Sequence, residues 1–345
     1  MSKTAVILFN LGGPDRPEAV QPFLFNLFND RAIIGLPNPF RWLLAKLISA
    51  RRTEKAQAIY AEMGGGSPIL PNTQAQAHEL ETSLRDLGEV RCFPAMRYWH
   101  PMTEDVVREV ATFAPDRVVL LPLYPQFSTT TTASSKKAWD EAAKRAGLSV
   151  PTFHACCYPR QPGFVAAVAD LIGAHHAAAS AHGKPRVLFS AHGLPKKIVA
   201  AGDPYQHQVE LTVASVVTRL GIAGLDHVVC YQSRVGPLEW IGPSTEHEIA
   251  RAAADKVPVV VVPIAFVSEH SETLVELDIE YRARAEALGV PYYSRVPTVS
   301  THPDFIRGLA EIVRTLARGA PRTAFMDEGE RPCPVNCGKC PLAVN

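Results

Sequence analysis

The chain contains no run of about 18 apolar residues, so no segment qualifies as a membrane-spanning helix. Its opening, Met1-Ser2-Lys3-Thr4-Ala5, passes directly into the strand-like Val6-Ile7-Leu8-Phe9. The small-residue cleavage site of a secretory leader is missing, and a cytoplasmic protein is expected. Surplus charge is also absent: 35 Lys and Arg stand against 34 Asp and Glu. No broad field therefore favours nucleic acid. The seven cysteines are an odd number, which speaks against a framework of structural disulfides in such a compartment. Nucleotide fingerprints are lacking too. Gly64-Gly65-Gly66-Ser67-Pro68 has no Gly-Lys-Ser/Thr after it, and Asn10-Leu11-Gly12-Gly13-Pro14 follows a strand without the dinucleotide spacing. No nucleotide cofactor is expected, and both segments read as tight loops that let backbone approach a flat ligand.

What is present is a chain of 345 residues, 47% hydrophobic, in which short apolar runs alternate with amphipathic stretches. Strands are predicted at residues 4–10, 90–97, 117–123, 187–190, 227–231 and 257–266. Helices are predicted at residues 16–29, 53–62, 73–87, 103–113, 163–179, 206–220, 272–287 and 303–317. Continuous Val/Ile/Leu runs suit strands covered on both faces, and the alternation of strand with helix indicates a doubly wound α/β architecture. Val119-Leu120-Leu121-Pro122-Leu123 echoes Val260-Val261-Val262-Pro263-Ile264, a trace of two similar halves. The polar dip at Ala181–Pro185 divides residues 1–180 from 181–318, and a cysteine-bearing tail occupies 319–345.

Ligands of open α/β sheets bind beyond the carboxyl ends of the strands. His192 stands there, in Phe189-Ser190-Ala191-His192-Gly193-Leu194-Pro195. A second concentration of chemistry follows the strand ending near Ile264. It contains His270 and the carboxylates Glu272, Glu276 and Glu280, at a spacing that stacks them on one helical face. Asp278 with Arg282, and Glu280 with Arg284, are ordinary i,i+4 ion pairs. Glu272 and Glu276 have no basic residue four positions on, and a cation from outside can satisfy them. Carboxylate oxygen and imidazole nitrogen suit iron and other hard divalent metals. A neutral imidazole also suits proton acceptance.

In order along the chain, Asn10-Leu11-Gly12-Gly13-Pro14, Arg51-Arg52-Thr53, Gly64–Pro68, Met96-Arg97-Tyr98-Trp99-His100-Pro101, Tyr124-Pro125-Gln126-Phe127-Ser128, Phe189–His192, Gln232-Ser233-Arg234-Val235-Gly236-Pro237 and the acidic run resemble the ferrochelatase family. The resemblance runs from about Leu8 to Leu309. It implies the chelatase fold: two Rossmann-like halves, each a parallel sheet flanked by helices, with the active-site cleft between them. It implies insertion of ferrous iron into protoporphyrin IX to give protohaem, with porphyrin and Fe2+ as substrates. By motif, His192 is the active-site histidine and Glu272 its acidic partner. Both are candidate metal ligands, with His270, Glu276 and Glu280 on a path for iron or protons. Leu11, Tyr60, Ser67, Arg97, Tyr98, Ser233 and Trp240 match positions near the macrocycle, and Arg52 and Lys55 match basic residues that meet propionates. Gly193 replaces a common serine, which is expected to loosen that turn, and Leu11 replaces a methionine. Two alternatives stand beside this reading: iron insertion into coproporphyrin III, and a non-catalytic iron–sulfur or haem-binding sensor on the same fold. The sensor would leave His192 and Glu272 without a task.

Cys333, Cys337 and Cys340 form C-x3-C-x2-C in the tail. Short Pro- and Gly-containing loops between thiols suit a soft metal, either zinc or a [2Fe–2S] cluster. The family includes members with a [2Fe–2S] cluster bound by C-terminal cysteines and one distant cysteine, whose position in animal members corresponds to Thr129. The fourth ligand is expected to be Cys157, with Cys156 as the alternative, since strand neighbours point to opposite faces. Cys92 and Cys230 lie in apolar strands and read as small buried hydrophobes. Finally, the apolar segments Ile33–Pro37 and Phe40–Ile48, beside Arg51 and Arg52, suit either peripheral membrane contact or a lid over the porphyrin.

Overall fold

The computed structural model describes residues 2–234, 238–319, 323–325 (backbone only) and 333–342. Val235–Pro237 of the Gln232–Pro237 motif, and the tail residues between these segments, lie outside the described residues.

Two sheets form, and in each the strand that opens the sheet and its third strand are almost continuously buried. The first contains β1 (Lys3–Asn10), β2 (Glu89–Met96), β3 (Arg117–Pro122), β4 (Thr152–Cys157) and β9 (Thr323–Phe325), in the order β2-β1-β3-β4-β9. The second contains β5 (Arg186–His192), β6 (Asp226–Gln232), β7 (Val259–Pro263) and β8 (Tyr293–Arg295), in the order β6-β5-β7-β8. The pairings β1–β2, β1–β3, β3–β4, β5–β6, β5–β7 and β7–β8 are parallel. Parallel neighbours need crossover connections, and helices supply them. Counting from its own first strand, the second sheet has the order 2-1-3-4, and the first has the same order with β9 added beyond its fourth strand. The two echoing segments of the sequence are β3 and β7, the third strand of each sheet, so the echo has a topological basis. In this order the winding reverses between the first and third strands, which is where doubly wound sheets bind ligands. That point in the second sheet lies between β5 and β7.

The chain clusters into two compact units. One comprises residues 1–124, 128–156 and 310–324; the other comprises 125–127, 157–309 and 325–345. Their boundaries differ from a simple division near residue 180. The helix Pro162–Ser180 is in the second unit because it packs on the helix Tyr205–Leu220 and on β7 and β8.

Most helices lie within a few residues of their predicted positions, and Thr103–Phe113 and Pro303–Ala317 match at both ends. Two differ in kind. The helix predicted at 53–62 begins at Phe40 and runs to Ala61, absorbing the apolar segment before it. The helix predicted at 272–287 is a π-helix over Glu272–Glu280 followed by an α-helix over Tyr281–Ala287. The Tyr281 N–H bonds back to the Glu276 carbonyl, five residues earlier. Leu277 and Tyr281 sit in the core with Leu188, Val259 and Val261. The wide winding keeps both in that core while Glu272 and Glu276 face the ends of β5 and β6. π-winding of this kind is frequent at functional sites.

Candidate active site

His192 is the last residue of β5, aligned with Gln232 at the end of β6. Its Nδ1 lies 2.8 Å from Glu272 Oε2, and its side chain is 41% exposed against 29% for the carboxylate. Nδ1 facing a carboxylate carries the proton of the neutral ring, which leaves the lone pair on Nε2. Burial opposes a charged imidazole, but the adjacent Glu272 charge and hydrogen bond, with Glu276 further off, outweigh it and raise the His192 pKa above the ordinary histidine value. Burial likewise opposes the Glu272 carboxylate, and His192 and His270 overcome it, holding Glu272 well below the usual carboxylate range. His270 Nδ1 is 3.1 Å from the Ser268 carbonyl, so that nitrogen donates, while Nε2 lies 3.8 Å from Glu272 Oε2. One carboxylate oxygen therefore faces two imidazoles.

Two further devices fix His192. The buried Tyr205 hydroxyl bonds to its backbone. At Gly193, whose N–H donates to the Gln232 carbonyl at 2.8 Å, a Cβ would come within 2.9 Å of that same oxygen. The turn is thus close-packed by the glycine, where the sequence suggested loosening.

The three carboxylates do not act as one row. Glu276 is enclosed: its oxygens accept from the Ser233 N–H at 2.8 Å, the Ser233 hydroxyl, Gln232 Nε2 at 3.1 Å and the Tyr281 hydroxyl at 3.0 Å. These protein donors satisfy its lone pairs. Burial and the Glu272 charge still raise its pKa. Gln232 also donates to the Glu272 carbonyl at 3.0 Å and accepts from Ser190 Oγ at 2.8 Å, so it ties both glutamates to β5. Ser233 sits at φ 58, a left-handed conformation rare for serine, and Glu276 holds it from both its N–H and its hydroxyl. Glu280 is exposed. Asp278 pairs with Arg282 at 3.0 Å as expected, whereas Arg284 meets Glu246 at 4.0 Å instead of Glu280. Trp240 bridges to Pro195 beyond β5, and its Nε1 is a buried donor without a partner among the described residues.

Within the first unit, Leu11, Tyr60 and Tyr98 share one apolar cluster with Trp99. Tyr98 is wholly buried and Tyr60 nearly so, so both are core residues here. The Arg97 guanidinium is committed: Nη2 is 2.8 Å from Asp30 Oδ2, and Nε donates to Ser134 Oγ at 2.8 Å. The same Asp30 oxygen accepts from the Tyr98 hydroxyl at 2.8 Å. Burial opposes its charge, yet Arg97 and these donors hold its pKa below the usual value. Asp30 had no signal in the sequence beyond its type. Ser67 donates its N–H to the Pro14 carbonyl at 2.7 Å, closing the glycine-rich loop. Arg52 and Lys55 are exposed, and Arg52 lies over the Phe28 ring at 5.6 Å.

None of the seven cysteines forms a disulfide, and all are buried. Cys333, Cys337 and Cys340 pack together. The tail docks on the loop before the helix Tyr205–Leu220, where the Lys339 N–H donates to the Gly202 carbonyl at 3.0 Å. Gly202 has φ +98, and a Cβ there would lie 3.0 Å from the Gly338 nitrogen. Gln208 Nε2 lies 3.4 Å from Cys157 Sγ and 3.2 Å from Cys333 Sγ, so it gathers those two sulfurs. Cys340 hydrogen-bonds Cys333, and this contact together with burial raises the Cys333 pKa far above a free thiol. Cys230 is pushed up to about 12 by burial, as suits a core thiol. Among the described residues, no three His, Cys, Asp or Glu side chains are arranged around a single metal ion.

The sheet order, with a histidine–carboxylate pair at the switch point, defines a chelatase-fold protein. The solved structure of SirB from Bacillus subtilis with Fe3+ shares this fold, with a TM-score of 0.52 at 13% identity over 92% of this chain and 96% of that one. The ferrochelatase family model matches residues 3–317. The ferrochelatase of Caulobacter vibrioides (strain NA1000 / CB15N) is 54% identical over 342 residues, covering 98% of this chain and 97% of that protein. Those of Wolbachia pipientis wMel and Pelagibacter ubique (strain HTCC1062) are 55% and 48% identical, over 90% and 98% of this chain. The chain belongs to the ferrochelatase family. Its reaction is insertion of iron into a porphyrin for haem synthesis, with Fe2+ and porphyrin as substrates.

Proposed function

We propose that the chain inserts ferrous iron into protoporphyrin IX, with His192 Nε2 as acceptor of the pyrrole protons. The His192–Glu272 pair at the β5–β7 switch point carries this reading. Metallation exchanges two pyrrole N–H protons for Fe2+, and an imidazole held in the Nδ1–H tautomer presents its Nε2 lone pair to one of them. Glu272 orients the ring and stabilises the imidazolium that forms. His270 and Glu272 are the candidate hand-on point for iron, imidazole nitrogen beside carboxylate oxygen. Glu276 acts by holding Ser233 and Gln232 in place, and Glu280 belongs to the outer approach. Leu11, Arg52, Ser67, Arg97, Ser233 and Trp240 remain candidate macrocycle neighbours, with Tyr60 and Tyr98 supporting from the core. Anaerobic incubation with Fe2+ and either protoporphyrin IX or coproporphyrin III tests the substrate, since each metalloporphyrin has its own spectrum. His192→Ala should lower metallation about 10²–10⁴-fold while porphyrin binding survives. Turnover near wild type would remove His192 from this role.

The tail is proposed to hold a [2Fe–2S] cluster through Cys157, Cys333, Cys337 and Cys340. The donor set fits: four buried thiols, with an amide donor aimed at two of them. A cluster grips its ligands at two irons, so its four thiolates need not surround a single ion as they would around one zinc. When bound, the group supplies one-electron chemistry or a structural staple. Iron and sulfide in near-equal amounts in anaerobically purified protein support it; zinc without sulfide refutes it.

Peripheral membrane contact is proposed for the start of the helix Phe40–Ala61. Phe40 and Leu43 are 64% and 55% exposed there, beside Arg41, Lys46 and Arg51. No helix among the described residues is long and apolar enough to cross a membrane. Co-sedimentation with anionic vesicles, weakened in a Phe40→Ser, Leu43→Ser variant, tests it.

A further inference from the structure

Gln208 lies wholly buried on the helix Tyr205–Leu220, outside every motif of the sequence. Its Oε1 accepts from the Phe127 N–H at 2.7 Å. A backbone N–H can only donate, which settles the orientation of the amide and turns its NH2 group away from Phe127. That group lies 3.4 Å from Cys157 Sγ and 3.2 Å from Cys333 Sγ, sulfurs contributed by distant parts of the chain. The backbone is held as well: the Gln208 carbonyl accepts from Thr212 Oγ1 at 2.9 Å, and Thr212 Oγ1 accepts from Gln126 Nε2 at 2.9 Å. A buried amide with its rotamer locked and both N–H bonds directed at sulfur is a costly arrangement around neutral thiols, which are weak acceptors. Around thiolates the same bonds are charge-assisted and strong.

We propose that Gln208 is a positioning residue for the cluster, donating to the Cys157 and Cys333 sulfurs, so that it tunes the reduction potential and ties the tail to the second unit. The inference rests on the cluster reading above. Hydrogen bonds to ligand sulfur stabilise the more negative, reduced state and so raise the potential. Gln208→Glu keeps an oxygen for the Phe127 N–H and replaces the donor by an anion. Gln208→Met has nearly the same shape, is neutral, donates nothing, and serves where the glutamate variant does not fold.

The test is a mediated redox titration of anaerobically purified full-length protein, followed by electron paramagnetic resonance and visible absorption. At the wild-type midpoint, the ratio of reduced to oxidised cluster should be about tenfold lower in either variant, equivalent to about 59 mV for a one-electron couple, with the glutamate variant shifted further. Variants that keep the cluster and titrate at the wild-type midpoint overturn the proposal. Wild-type protein with no sulfide and no cluster signal overturns the cluster reading itself, an outcome separate from an unshifted midpoint.

Discussion

Replacing Glu276 separates a carboxylate that passes iron from one that holds the site together. Glu276→Ala strands the Ser233 N–H, the Ser233 hydroxyl, the Gln232 amide and the Tyr281 hydroxyl. The Ser233 hydroxyl can turn toward water. The Ser233 N–H is fixed by its backbone, and Tyr281 is only 6% exposed. Two stranded donors at about 1–3 kcal/mol each, reduced for the partial opening of the site and for relief of repulsion from Glu272, come to about 2–4 kcal/mol. For a cooperative unit of about 150–250 residues that lowers Tm by roughly 4–16 °C. Gln232 and Ser233 lose their anchor, so kcat should fall together with stability. Glu276→Gln keeps the shape and one acceptor, exchanges an ion for an amide, and should lie within about 1–2 kcal/mol of wild type. Differential scanning calorimetry and anaerobic metallation kinetics over a range of Fe2+ concentrations provide the readouts. A Glu276→Ala protein melting within about 2 °C of wild type would refute the enclosure. A Glu276→Gln protein of unchanged stability with a strongly raised KM for iron would return Glu276 to the relay.

Other outcomes follow from the same geometry. The His192 pKa is raised, so free wild-type enzyme should gain kcat/KM with rising pH through a limb above the ordinary histidine range, and in Glu272→Gln that limb should move to lower pH. Because His192 is raised and Glu272 depressed, the pair stabilises the fold fully between the unfolded pKa values of the two groups. The stabilisation is lost as pH rises through the folded His192 value or falls through that of Glu272. Urea titrations of wild type and His192→Gln should therefore differ most at mildly acidic pH and converge in alkali. Asp30→Ala leaves the Arg97 guanidinium and Tyr98 hydroxyl without their shared acceptor and should cost about 2–3 kcal/mol, measured by denaturation, less than a fully buried pair because Arg97 is partly exposed. On the cluster reading proposed above, chelation or oxidation of the cluster should expose residues 333–342 to proteolysis while β5–β8 survive.

Periodicity and composition were enough for the doubly wound α/β class, and the division into two Rossmann-like halves came with the family resemblance. Parallel strands buried on both faces require uninterrupted apolar runs, and β1, β3, β5 and β7 carry them. The short β8 carries too few residues to stand out from a loop. His192 and Glu272 were legible because a strand end in a doubly wound sheet is a privileged place and because their motifs have an order along the chain. The approach of Cys157 and Cys333 to one Gln208 amide was half legible: the spacing of Cys333, Cys337 and Cys340 suggested a shared task, with Cys157 as the expected fourth member.

What the tertiary structure alone decided is how each polar group is satisfied. A hydrogen-bond partner is chosen in space, and nothing local in the chain announces that Glu276 is enclosed by Ser233, Gln232 and Tyr281, that Arg97 belongs to Asp30, or that Gln208 points at two sulfurs. The spacing of Glu272, Glu276 and Glu280 suggested one acidic face awaiting a cation. The π-winding, imposed where Leu277 and Tyr281 must stay in the core, divides them into a partner for His192, a clamp on Ser233 and an exposed outlier. The sequence determined which residues are candidates for the chemistry, because residue type and order are local properties. Their division of labour was set by packing, because it depends on which donors the fold brings within about 3 Å.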